Sequence, residues 1–447
     1  MGVELWKCTA VQLRERMWKG VLTAEKLVRH YLERIARFGG SAGLNCVAEL
    51  DETALAQARA LDGRMDRRDL PLFGLPVLVK DNIDVKGLHT TAGSLALDDH
   101  VAAEDAPVVR ALREKGAVVL GKANMTEFAN YVSRDMPNGY SSRGGQVAHA
   151  YERGWDVSGS SSGSAVAVSA GLCAAALGTD TSFSVVGCAS ENGVVGVKPP
   201  VGALSARGVV PLAHTLDSVG VLARTVEDAL LIDDAMRDEP LGQAPEIAPE
   251  GLRLAVNGFN RERVSEAQLA RYDGLLGRLR AAGARIGEVV QPYAPQQKVV
   301  MRWEFMPDVE AYLAGTRARC RTLGDVLAEM DAHPETMRRY GDDLLREAYR
   351  VHGEPGGEAE YREALAAREA MRRELREQLA PYDACLMTGP TNCMHFAGLP
   401  SVCVPFDVNE QGIPCGAILY GADEKRLYAA ARVIERFARA IPLPDLP

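Results

Sequence analysis

The sequence predicts an α/β fold, a mixed central β-sheet surrounded by α-helices, from three observations. Val77-Leu78-Val79 and Val118-Val119-Leu120 are short, continuous apolar runs rich in β-branched residues, as strands covered on both faces are. Residues 106–115 between them carry helical periodicity, giving the β–α–β alternation of a sheet covered by helices. Residues 163–177 are dominated by small side chains at helical spacing, which predicts a central helix packed closely on that sheet.

The remaining elements follow in order. Thr9 and Thr23 stand where helix N-caps belong; the second helix carries Leu27, Tyr31, Leu32 and Ile35 on one stripe and stops at Gly39-Gly40. A helical stretch over 52–65 precedes the strand that ends at Lys80. Val194-Val195-Gly196-Val197 resumes strand character, and Pro240, Pro245 and Pro249 mark 236–251 as a surface connection. Residues 353–357 form a loop, 358–379 a charged, solvent-facing helix, 400–405 and 417–419 strands, and 425–439 a closing helix.

Composition narrows the function. With 47% hydrophobic and 25% charged residues over 447 positions, the chain can bury a large core without disulfide or metal staples. A net charge of −9 supplies no basic footprint for nucleic acid or an anionic membrane. The nine cysteines include no C-x-x-C pair and no His-Cys ligand spacing, which reads as reduced thiols; the start lacks a signal-peptide pattern, so the expected address is cytoplasmic. Residues 157–179 carry no charge and are long enough to span a bilayer, but their Ser and Gly content argues for a buried loop and helix.

Three segments carry chemistry. Lys80 closes an apolar strand that draws it toward the core, where desolvation disfavours the ammonium form and makes the amine a usable general base; the plain alternative is a strand-end lysine that snorkels or pairs with Asp81. Ser158-Gly159-Ser160-Ser161-Ser162-Gly163-Ser164 has the look of a linker or cap, yet core-like sequence follows it, so its amides and hydroxyls aim at something polar inside. Gly178-Thr179-Asp180-Thr181-Ser182-Phe183-Ser184 ends in a turn able to expose consecutive backbone amides as an oxyanion hole.

At these residues the sequence resembles the amidase signature family. The likeness rests on Gly74-Leu75-Pro76-Val77-Leu78-Val79-Lys80-Asp81-Asn82-Ile83, on 158–171, on 178–184 and on Asn192-Gly193-Val194-Val195-Gly196-Val197-Lys198-Pro199. The intervals of 80 residues from Lys80 to Ser160 and 24 from there to Ser184 also match, as do Leu216-Asp217-Ser218-Val219-Gly220, 223–228 and Gly398-Leu399-Pro400. Within the family the chain looks closest to the bacterial peptide amidase branch, which removes ammonia from C-terminally amidated peptides. Residues 91–97, 141–146, Glu304-Phe305, Ala311-Tyr312-Leu313 and Arg321-Thr322-Leu323 carry that likeness.

The resemblance implies one amidase signature domain over 1–447, with core 60–230 and 380–447 and a variable, substrate-shaping region at about 236–379. It implies that Ser184 attacks the amide carbon while Ser160, in a cis peptide arrangement, passes its proton toward neutral Lys80. Backbone amides of Thr181, Ser182, Phe183 and Ser184 would hold the oxyanion. Asp81, Asn82, Ser161, Thr179 and Asp180 would support the loops, each with a plain reading as a turn or cap residue. Met125, Glu127 and Phe128 resemble a segment near the family's substrate channel, though a Met and a Phe at this spacing also suit a core. The resemblance calls for no metal and no cofactor, for a small-molecule or peptide amide as partner, for neither nucleic acid nor membrane, and leaves room for a homodimer.

Two positions depart from the family. Ser182-Phe183 replaces the usual small pair before the nucleophile, which costs strain if φ is positive there. Val185-Val186-Gly187-Cys188 lacks the arginine many members carry, favouring a neutral or apolar acyl group, with Phe183 lining its pocket. Three other readings compete. Gly159-Ser160-Ser161-Ser162-Gly163 fits G-x-S-x-G, making Ser161 a nucleophile served by His214, His333, His352 or His395, but no strand-like run precedes it. The chain could instead be the ammonia-producing subunit of a tRNA-dependent amidotransferase, or a degenerate member that only binds a ligand.

Overall fold

A computed structural model describes residues 4–242 and 244–446. The Thr9 hydroxyl accepts from the Gln12 amide and the Gln12 side chain accepts from the Thr9 amide, a reciprocal cap that starts the helix Ala10–Trp18. The Thr23 hydroxyl likewise accepts from the Lys26 amide to start Ala24–Phe38, Gly39 ends that helix, and Leu27, Tyr31 and Ile35 are buried on its inner stripe.

The strands are β1 (Val47–Leu50), β2 (Pro76–Lys80), β3 (Val118–Ala123), β4 (Tyr140–Ser141), β5 (Gly145–Gln146), β6 (Ala175–Asp180), β7 (Val195–Lys198), β8 (Ser218–Ala223), β9 (Arg253–Asn257), β10 (Arg285–Val289), β11 (Ala384–Met387), β12 (Ser401–Val408) and β13 (Pro414–Tyr420). Eleven of them form one sheet in the order β1-β3-β2-β6-β8-β7-β12-β13-β11-β9-β10, while β4 and β5 pair separately. The pairs β2/β3 and β2/β6 are parallel and β6/β8, β7/β8 and β12/β13 antiparallel, so the sheet is mixed. Every residue of β2, β3 and β6 is buried, which is why Val77-Leu78-Val79 and Val118-Val119-Leu120 read as unbroken apolar runs.

The expected helix over 163–177 is shorter in the structure. It spans Ser162–Ser169 and ends where Gly171 takes φ +65°; after a turn, the chain re-enters the sheet as β6. Small buried residues have the same periodicity in a packed helix and a covered strand, so the sequence pattern ran the two together. The helix is small-faced because space is short: a Cβ on Gly163 would lie 2.3 Å from the Asn124 carbonyl oxygen, and one on Gly178 would lie 2.7 Å from Ser161 Oγ.

The helix predicted at 106–115 is Pro107–Glu114, and the closing helix is Glu424–Phe437. Gly357–Leu379 is largely solvent-facing but seats Ala364, Arg368, Leu375 and Leu379 inward. A second apolar cluster, away from the sheet, joins Phe305 of the helix Gln296–Ala314 to Phe128, Tyr131, Leu212 and Phe396. The region read as variable thus contributes β9 and β10 to the sheet and also packs over the loops beside β2 and β6. Among the described residues no helix is long and apolar enough to cross a membrane.

Candidate active site

Lys80 ends β2 between β3 and β6 and is wholly buried. Its Nζ lies 2.7 Å from Ser160 Oγ, 2.8 Å from Thr179 Oγ1 and 3.4 Å from the Thr179 carbonyl oxygen. Burial pushes the amine down to about 7, against the opposing influence of Cys188, Asp180 and Asp217. Nζ donates in all three contacts, so Ser160 Oγ and the two oxygens of Thr179 fix the direction of the amine. Asn82 Nδ2 donates to Thr179 Oγ1 at 3.1 Å and to the Val210 carbonyl at 3.2 Å, fixing the rotamer on which the amine rests.

Ser160 follows a cis Gly159–Ser160 peptide just before the helix Ser162–Ser169. Its carbonyl accepts from the Thr126 amide at 3.1 Å, and the Ser161 amide donates to the Ser184 carbonyl at 3.2 Å. Ser161 Oγ donates to the Thr179 carbonyl at 3.1 Å and accepts from the Thr179 amide at 3.3 Å. Ser161 therefore ties the serine-rich segment to β6 on one side and to residue 184 on the other.

Residues 181–184 turn the chain from β6 into the helix Val186–Asn192. Thr181 Oγ1 donates to Asp217 Oδ1 at 2.5 Å, and Asp217 Oδ2 accepts the Leu212 and Ala213 amides at 2.8 and 3.1 Å. Burial raises the Asp217 carboxyl to about 6. Gln297 Nε2 donates to the Thr181 carbonyl at 3.1 Å, and Asn392 Nδ2 holds Gln297 Oε1 at 2.5 Å. Among the described residues, the amides of Ser182, Phe183 and Ser184 meet no protein acceptor, whereas Asp180 Oδ2 takes the next two, Val185 at 2.7 Å and Val186 at 3.2 Å. Burial alone would raise Asp180; nearby His395, Lys198 and the Val185 amide outweigh it and bring the group to about 2. Phe183 sits at φ +68°, the left-handed conformation that costs a non-glycine residue about 1 kcal/mol.

The structure thus gathers Lys80, Asn82, Ser160, Ser161, Thr179, Asp180 and the turn 181–184. Asp81 points elsewhere: it accepts from the Thr91 hydroxyl and the Gly93 amide and faces buried Lys122 at 3.6 Å, supporting the loop that follows β2. Val185 is core, filling the space over Gly178, Gly196 and Gly220. Phe183 borders a cavity of ≈ 520 Å³ with Ser158, Met387, Pro390 and Ile418. Glu127, from the segment read as near a substrate channel, is buried and accepts from the Ser142 amide and hydroxyl at 2.6 and 2.9 Å; burial raises it to about 7.

At this turn Asp217, Gln297 and Asn392 carry no role in the sequence reading, and His395 enters it only as a candidate base for Ser161. Asp217 lies in the run Leu216-Asp217-Ser218-Val219-Gly220, but its use as an anchor for Thr181 depends on a contact 36 residues away. Gln297 reaches across 116 residues, and nothing local marks it. The histidines of the rival reading are otherwise engaged: His214 with Asp308, His333 with Glu329, His352 with the Trp303 carbonyl and His395 with Asp180. His214, Glu304 and Asp308 are the group among the described residues close enough to share a cation. Yet His214 Nδ1 already lies 3.0 Å from Asp308, and Glu304 accepts from Thr215 and Tyr361, so they read as a paired network.

Comparison with known proteins makes the chain a hydrolase acting on carbon–nitrogen bonds in linear amides. The chain belongs to the amidase family, whose model matches residues 26–393. A probable amidase of Arabidopsis thaliana is 36% identical over 426 residues, spanning 88% of this chain and 82% of the relative. A glutamyl-tRNA(Gln) amidotransferase subunit from Exiguobacterium sibiricum is 30% identical, covering 96% of both chains. The crystal structure of native peptide amidase from Stenotrophomonas maltophilia superposes with a TM-score of 0.88 at 32% identity, over 98% of this chain and 99% of that one.

Proposed function

We propose that this amidase cleaves neutral carboxamides, in the manner of a peptide amidase, through an acyl-enzyme on Ser184. The observation that carries the reading is the buried Lys80 amine 2.7 Å from Ser160 Oγ, with the peptide following Ser160 bonded to residue 184. Ser184 Oγ attacks the amide carbon and gives its proton to Ser160, whose own proton passes to Lys80 Nζ. The amides of the 181–184 turn hold the oxyanion. As the tetrahedral adduct collapses, Lys80 returns the proton through Ser160 to the departing nitrogen, leaving an ester on Ser184. Water then attacks that ester by the same relay and releases the carboxylic acid. Nucleophile, relay and oxyanion donors are all supplied by this one chain.

Gly187, which borders the cavity beside Phe183, brings no charge there and supports a neutral or apolar acyl group, and the unbroken sheet supports reading 1–447 as one domain whose middle region shapes access. The full-length likeness to a component of an amidotransferase favours a second reading, ammonia production for a partner protein. A panel of peptide C-terminal amides, aliphatic amides and glutamine, assayed on the purified chain for acid and ammonia, separates the two. Robust turnover of peptide amides by the chain alone supports the proposal; hydrolysis of glutamine only, and only with a partner, overturns it.

A further inference from the structure

His395 lies on the short helix Cys393–Phe396 and is fully buried. Its Nδ1 faces Asp180 Oδ1 at 3.2 Å, and its ring meets the Phe183 ring edge to face, with centroids 4.3 Å apart and planes at 61°. Neither ring nitrogen nor Asp180 Oδ1 makes a hydrogen bond, so the imidazole and the carboxylate meet as close polar neighbours, an expensive state for buried groups that calls for a compensating role. Both neighbours belong to the nucleophile turn. Asp180 holds the amides of Val185 and Val186 immediately after Ser184, and Phe183 immediately before it is locked in the left-handed region. Asn392, three residues before His395, reaches the same turn through Gln297 and the Thr181 carbonyl.

We infer that His395 is a positioning residue for amide hydrolysis: wedged between the Asp180 carboxylate and the Phe183 ring, it sets where the oxyanion amides and Ser184 stand. Phe183 at φ +68° has no intrinsic reason to stay there, and an aromatic partner on its ring supplies one. The imidazole itself takes no part in the bond changes. Its effect travels through two flanking residues, so it should bear on the transition state and leave ground-state binding alone.

The inference rests on Ser184 being the nucleophile, and the test separates the two claims. With a peptide amide substrate, His395→Ala is expected to lower kcat about 100-fold while KM moves less than about threefold, the scale of a misplaced oxyanion donor. His395→Asn, which keeps a polar group beside Asp180, is expected to recover at least about tenfold of that loss. Phe183→Leu, which keeps the strained backbone but removes the ring that His395 meets, is expected to lower kcat alone, and the double variant with His395→Asn to fall no further than the worse single variant, since both break one contact. A kcat for His395→Ala within about threefold of the unsubstituted enzyme, or losses that multiply in the double variant, overturns the inference. If His395→Ala does not fold, the Phe183→Leu and His395→Asn pair decides by the same non-additivity. Ser184→Ala, run alongside, must be inactive; residual turnover there removes the nucleophile reading and leaves the His395 result to stand by itself.

Discussion

The side-chain nitrogen of Lys80 lies 2.7 Å from the hydroxyl oxygen of Ser160, eighty residues away in the chain, and neither residue is exposed to solvent. That contact is possible because β2 delivers the lysine to the sheet's interior edge while a serine-rich turn crosses above β6. Its chemical value depends on protonation. At about 7 the amine is partly neutral at physiological pH, so it can accept a proton without first losing one to solvent.

In the proposed relay this sets the acid limb of activity. Below about 7 Lys80 becomes charged and cannot accept the relayed proton, so kcat/KM is expected to rise with pH through that value with unit slope. Lys198, also buried and lowered to about 8, is the natural confounder. A pH profile of Lys198→Met should therefore keep the limb near 7.

The same burial costs stability. A lysine whose folded value lies below its unfolded one binds fewer protons when folded, so folding strengthens as pH rises from about 7 toward the ordinary lysine range. Lys80→Met removes that dependence. Urea unfolding of both proteins is expected to show the methionine variant the more stable at about pH 7, with the gap narrowing toward about pH 10, while its amidase activity falls by at least about 100-fold.

Asp180 carries the opposite sign. Its folded value of about 2 is below the usual carboxylate range, so it contributes stability that is present above about 4 and lost as pH falls through 2. Asp180→Asn is expected to cost about 2 kcal/mol at about pH 7, measured by chemical denaturation, with the difference disappearing near about pH 2.

Thr179 tests the orientation of the amine. Thr179→Val removes the hydroxyl 2.8 Å from Nζ and is expected to lower kcat about tenfold to 100-fold, whereas Asn82→Ala, which only loosens Thr179, should cost about tenfold or less. Steady-state kinetics on one peptide amide ranks the two; the reverse order would contradict this division of labour.

Much of this was legible because the chemistry is local in its spelling. An apolar strand ending in lysine, a serine–glycine segment beside core sequence and a turn closing on serine are each readable without tertiary knowledge. The sheet's β-branched runs and the threonine caps were equally plain, since strand periodicity and capping act over a few residues. The boundary between the helix Ser162–Ser169 and β6 was not, because Ala, Gly and Ser pack in either form. The placement of Asp217, Gln297 and His395 was opaque for another reason: each meets residue 180 or 181 through a contact spanning from 36 to more than 200 residues, and a pairing across such distance leaves no local pattern.

Catalysis by this relay requires that Ser184, and no other hydroxyl, carry the acyl group. Quenching the enzyme during turnover of a slow peptide ester or anilide, or after a serine-directed phosphonate probe, and mapping the adduct by peptide mass spectrometry tests it directly. The adduct is predicted on Ser184 and absent in Ser184→Ala; a stoichiometric adduct on Ser161 or Ser160, or full turnover with Ser184 replaced, would contradict it.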